Sequence, residues 1–127
     1  MTNSLNAKEL KGRIGLYEKT LNTEKNTIKM IEETIELNKK SVEIIKKELD
    51  ICERLCRSYH VSGLRNKKYR EKEEKEFRRI IELEMELYSF EENIRNDEKT
   101  MKNIVMRMEN RKAELDTLRK REAELAA

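Results

Sequence analysis

Apolar residues recur along this chain every seven positions, in two stretches whose phases differ. With Ile14 at heptad position a, the a positions run Ile14, Leu21, Ile28, Ile35, Val42, Leu49 and Cys56. The d positions run Leu10, Tyr17, Glu24, Ile31, Asn38, Ile45, Cys52 and Tyr59. Thirteen of these fifteen are apolar or aromatic, which predicts a helix in a left-handed supercoil and not a lone amphipathic helix. The second stretch places a at Ile80, Leu87, Ile94, Met101, Met108 and Leu115, and d at Leu83, Phe90, Asp97, Ile104, Arg111, Leu118 and Leu125.

Carried forward, the first register puts a at Gly63, and the second puts it three residues later. Such a slip marks either a stammer in one helix or a reversal of the chain. Val61-Ser62-Gly63-Leu64 favours reversal, because a glycine just past a helix cap with an apolar residue after it is a helix stop. Asn66 can cap the helix that follows. Nearly equal arms, about 6–60 and 66–125, then predict one all-α domain over residues 1–127. Its form is a long antiparallel coiled-coil hairpin with the turn near 61–66.

Polar residues on the seam agree with that orientation. An antiparallel overlay centred at 67–68 faces Glu24 with Arg111 and Asn38 with Asp97, whereas a parallel one sets Glu24 against Asp97. At the N-terminal end Asn6-Ala7-Lys8-Glu9 has the form of a capping box. Gly12 and Gly15 follow, and each costs on the order of 1 kcal/mol inside a helix, so this end either frays or receives another chain. Glu36–Lys40, Glu43–Lys47, Asp50–Arg54, Glu71–Lys75, Glu91–Arg95 and Glu98–Lys102 are expected as i,i+4 pairs of about 0.3 kcal/mol each.

The apolar surface is wider than two helices need. Leu16, Met30, Leu37, Ile44 and Ile51 occupy position c, with Leu55 nearby, and Thr20, Thr27, Thr34 and Ser41 occupy the g positions between. The second arm adds Phe77, Ile81, Met85 and Tyr88. Leu37, Ile44, Ile51, Leu55, Phe77, Ile81, Met85 and Tyr88 are therefore the expected partner surface, pairing two hairpins into a four-helix bundle.

Composition narrows the function. Charged residues make up 43 % of the 127 residues against a typical ~25 %, hydrophobic residues 36 %, and there is no proline or tryptophan. A thick core is out of reach, and a long helix with a narrow seam is not. The formal net charge is +3 and no charged tail exists. No apolar run is long enough for a membrane span or a signal peptide, so a cytoplasmic location is expected.

One local exception is 65–79, with eight basic and four acidic residues. Arg65, Lys67, Lys68, Arg70, Arg78 and Arg79, with Tyr69 among them, can meet phosphates of nucleic acid or lipid headgroups, or an acidic protein. The interspersed glutamates favour a solvated helix start. Cys52, Cys56 and His60 stack at four-residue spacing with Glu53 near, and two chains together could supply zinc ligands. Two small residues filling a seam is the simpler reading. A single histidine and three glycines leave no histidine-paired catalytic constellation and no phosphate loop. Carboxylates beside lysines on open helices lack a pocket to perturb them, so no enzyme and no cofactor are expected.

In outline such a hairpin resembles the stalk proteins of flagellar and type III export, and prefoldin-type chaperones, although no β-hairpin sequence separates the arms as in prefoldins. The resemblance is architectural and carries no residues over. The expected function is a coiled-coil adaptor, spacer or assembly factor, homodimeric and binding other proteins. The alternatives are nucleic-acid or acidic-partner binding through the basic tip, and a chaperone or inhibitor that grips another protein's helix.

Overall fold

The computed structural model describes residues 6–127. Two long helices, α1 (Ala7–Gly63) and α2 (Lys67–Ala126), pack against each other as a hairpin, with no strand among the described residues. The twelve hydrophobic residues buried among the described ones all occupy a or d positions, so the seven-residue pattern is the packing seam. Leu125 is the exception among the expected d residues and stands exposed.

Both helices begin on an asparagine cap. Asn6 Oδ1 accepts from the Glu9 amide at 2.8 Å, and the Leu10 amide donates to the Asn6 carbonyl at 3.0 Å. Asn66 Oδ1 accepts from the Lys68 amide at 2.9 Å, and its carbonyl accepts from the Arg70 amide at 3.3 Å.

The reversal occupies Leu64, Arg65 and Asn66, with α1 running to Gly63 instead of stopping near 60. Gly63 does not lie past the cap in a left-handed conformation, since no glycine has positive φ among the described residues. It is buried as the last helical residue, and its use is steric. A Cβ there would lie 2.9 Å from Arg70 Cγ and 3.3 Å from the Arg70 backbone nitrogen. The missing side chain lets the start of α2 close onto the end of α1. Gly12 and Gly15 open onto empty space, with nothing within 4 Å of an added Cβ.

The contacts cluster into two units. One joins α1 up to Glu33 with α2 from Glu98 onward. Its core is Leu10, Ile14 and Leu21 against Ile104, Met108, Leu115 and Leu118, with Tyr17, Ile28 and Ile31 at the margin. Glu24 and Arg111 meet on its seam as expected. Their oxygens and nitrogen are buried and make an ion pair without the alignment of a hydrogen bond. Glu18 and Arg119 close at 2.9 Å on the flank, and hydrogen bonding to Glu114 raises the Tyr17 hydroxyl pKa.

The other unit spans Thr34–Asp97 and contains the turn. Ile45, Leu49 and Cys52 pack on Leu83, with Ile80, Leu87 and Phe90 beside them. Its facing pairs are Tyr59 with Tyr69, Cys56 with Glu73 and Glu48 with Arg79. Asn38 and Asp97, expected to face each other, are both half-buried. Of the expected i,i+4 pairs, Asp50–Arg54 closes at 2.6 Å, while Arg95 turns to Glu92, three residues back, at 2.6 Å in place of Glu91.

Candidate interaction surfaces

Around an α-helix the heptad letters fall in the order a, e, b, f, c, g, d, so g and c lie on one flank of the seam and e and b on the other. In an antiparallel pair the g positions of both helices share a flank, as do the e positions. The unit around the turn follows this rule. Glu48 and Arg79, both g, meet at 3.1 Å. His60, Arg70 and Phe77, all e, line one open groove of about 660 Å³ together with Gly63, Leu64 and Glu73.

The eight residues expected to form one partner surface divide between these flanks. Leu37 (64 % exposed), Ile44 (58 %) and Ile51 (51 %) sit at c, and Leu55 at g. Phe77 (57 %) sits at e, and Ile81 and Tyr88 at b on the opposite flank, with Met85 at f pointing away from the seam. All eight are exposed, and the two stripes do not merge. In the other unit Leu16 and Met30 hold the same c position and are equally exposed.

Hydroxyls between the α1 residues are turned inward. Thr20 donates to the Leu16 carbonyl at 2.9 Å, Thr27 to Thr23 at 3.0 Å and Ser41 to Leu37 at 3.2 Å. Each satisfies its donor within its own helix.

At the turn, Tyr59 and Tyr69 stack with ring centroids 6.1 Å apart, and the Lys72 ammonium lies 5.7 and 5.3 Å from the two rings. Arg65, Lys67, Lys68, Arg70 and Arg78 are exposed. Arg79, expected with them as a polyanion contact, is engaged elsewhere, with Glu48 at 3.1 Å and Glu82 at 3.4 Å. Arg70 and Arg78 share the groove with Glu73 and Glu74, which offset their charge.

The cysteines fill the seam. Cys52 is buried and Cys56 half-buried, and both are free thiols. Burial pushes the Cys52 pKa up, helped by Glu76, and burial does the same for Cys56, helped by Glu73 and Glu76. His60 Nδ1 lies 2.9 Å from Glu73 Oε1, and the Cys56 thiol points at the Glu73 carbonyl, 3.9 Å away. No cluster of three or more metal-ligating side chains occurs among the described residues, nor any helix long and apolar enough to cross a membrane.

The i,i+4 spacing of Cys52, Cys56 and His60 was legible as a stacked set; the pull of Glu73 from the facing helix was not. The sidedness of the stripes was latent in their heptad letters, but it needs the antiparallel pairing to emerge. Comparison of this chain with protein-family models, with curated proteins and with solved structures finds no match in any of the three.

Proposed function

We propose that this chain is a non-catalytic helix-pairing protein, an adaptor, spacer or assembly factor that works through self-association and helix–helix contacts. The observation that carries the reading is the exposure of Leu37, Ile44 and Ile51 in a seven-residue repeat outside the hairpin's own seam. Isolated exposed hydrophobics need no explanation, whereas a periodic row of them is a second coiled-coil surface.

The thermal midpoint is expected to rise with protein concentration, because pairing stabilises the folded state by mass action. A midpoint unchanged over a hundredfold concentration range counts against self-association. A cytoplasmic setting is part of the proposal, supported by two free thiols, one buried and one half-buried, that suit a reducing compartment.

A second reading rests on the exposure of Arg65, Lys67 and Lys68 at the turn, which suits an acidic partner or nucleic acid. Binding to heparin that weakens steeply with salt supports it, and absence of retention at low salt rules it out.

A further inference from the structure

We infer that the turn of the hairpin is a docking tip for an anionic phospholipid surface. Leu64 and Val61 enter the headgroup layer, and Arg57, Arg65, Lys67, Lys68 and Arg70 meet the lipid phosphates and carboxylates around them. The inference draws on the same exposed cations as the second reading above and names a different partner for them. It is independent of pairing along α1.

Positive charge gathers at this end of the hairpin. Residues 57–72 hold six of the chain's 29 basic residues and one of its 26 acidic ones, so the rest of the chain carries a small acidic excess. Arg57, Arg65, Lys67, Lys68 and Arg70 are all exposed, and none makes an ion pair among the described residues. Helix starts favour carboxylates, yet the first turn of α2 has no acidic residue, so capping does not explain these cations.

Apolar exposure peaks at the same place. Leu64 and Val61, 75 % and 70 % exposed, are the most exposed large hydrophobics among the described residues. Neither belongs to a helix-pairing row. Leu64 lies between the two helices, and Val61 sits at heptad position f, on the face turned away from the seam. An apolar residue after a helix stop ordinarily packs back onto the last turn, and Leu64 leaves most of its surface out of that contact.

An aliphatic apex among cations fits a surface that is negative outside and apolar about 5–10 Å beneath. Each cation brought to an anionic bilayer contributes about a fivefold gain in affinity. Nucleic acid asks for something else, since unpaired bases stack on open aromatic faces. Here Tyr59 and Tyr69 stack on each other instead, with the Lys72 ammonium 5.7 and 5.3 Å from the two rings. A folded acidic protein would need a pocket shaped for Leu64, whereas a fluid lipid layer needs none.

The chain has no tryptophan, so Leu64→Trp places a single reporter at the apex. With vesicles of phosphatidylcholine holding about one-quarter phosphatidylserine, at low salt, its emission is expected to shift to the blue. With phosphatidylcholine alone it is expected to stay unshifted. Co-sedimentation with the anionic vesicles is expected to weaken about twentyfold in Lys67→Ala with Lys68→Ala, and about fivefold in Leu64→Ser. Lys8→Ala with Lys11→Ala, exposed at the start of α1, is expected to bind as the unaltered protein does. Circular dichroism confirms the helices in each variant.

An unshifted tryptophan on the anionic vesicles, or equal binding to both kinds of vesicle, overturns the inference. Binding untouched by Leu64→Ser, or weakened as much by the Lys8 and Lys11 changes as by those at Lys67 and Lys68, overturns it as well. Tighter binding to a single-stranded oligonucleotide than to the anionic vesicles also overturns it and returns the cations to the second reading. Sedimentation mass without vesicles reports self-association separately, so the two proposals fail independently.

Discussion

Glu24 Oε1 and Arg111 Nε meet at 2.5 Å on the seam between α1 and α2, the glutamate side chain 14 % exposed and the arginine 34 %. Around them the seam is Leu21, Ile28, Ile104 and Met108, so removing one charge leaves its partner among apolar neighbours. Glu24→Ala or Arg111→Ala is expected to cost about 2 kcal/mol, below the range for fully buried pairs because Arg111 still reaches water. Glu24→Leu with Arg111→Leu is expected to recover that loss or exceed it. A double-mutant cycle in urea checks both, and additive losses would show that the two residues do not interact.

Gly63 and the two N-terminal glycines are expected to respond in opposite directions. Gly63→Ala sets a methyl group 3.3 Å from the Arg70 backbone nitrogen, so α2 must shift, and a loss of about 1 kcal/mol is expected. Gly12→Ala and Gly15→Ala meet nothing and gain helix propensity, up to about 1 kcal/mol each. Thermal midpoints that move the same way in all three variants would contradict the close approach at the turn.

Each cap is expected to contribute separately. Asn6→Ala and Asn66→Ala each remove a side-chain acceptor from an amide at 2.8 or 2.9 Å, and each should lower stability by about 1 kcal/mol. Hydrogen exchange near the affected end should rise. The Asn66 variant should loosen the turn as well, since Asn66 also receives the Arg70 amide.

The thiols set an alkaline limit. Burial raises the pKa of Cys52 and Cys56 above the ordinary thiol value of 9.0, so the fold favours their neutral forms. Their contribution to stability is complete below pH 9.0 and is lost as pH rises through the raised folded values. Tyr17, raised above 10.0, acts in the same sense at still higher pH. Urea midpoints are therefore expected to fall on the alkaline side. Both thiols should react slowly with a disulfide reagent at neutral pH, Cys52 more slowly than the less buried Cys56. Fast reaction at pH 7 would contradict their packing in the seam.

The seam was legible because a long coiled coil writes its packing into every third and fourth residue, and every buried hydrophobic fell on those positions. The turn was legible in place but not in mechanism. Gly63 signalled a helix stop, yet its purpose is room for Arg70 on the second helix, which no local pattern displays. Register was legible in its charges: Glu24 found Arg111 because opposite charges on a seam attract strongly. The partner surface was legible residue by residue, since excess apolar positions show in the sequence. Its division into two flanks follows from which helix edges share a side, a property of the assembled pair.

Sedimentation equilibrium of the unaltered protein, from low micromolar to a few hundred micromolar, tests the central claim of self-association most directly. The account predicts a mass rising toward twice the 15.3 kDa of one chain as concentration increases. A mass that stays at one chain throughout would contradict it.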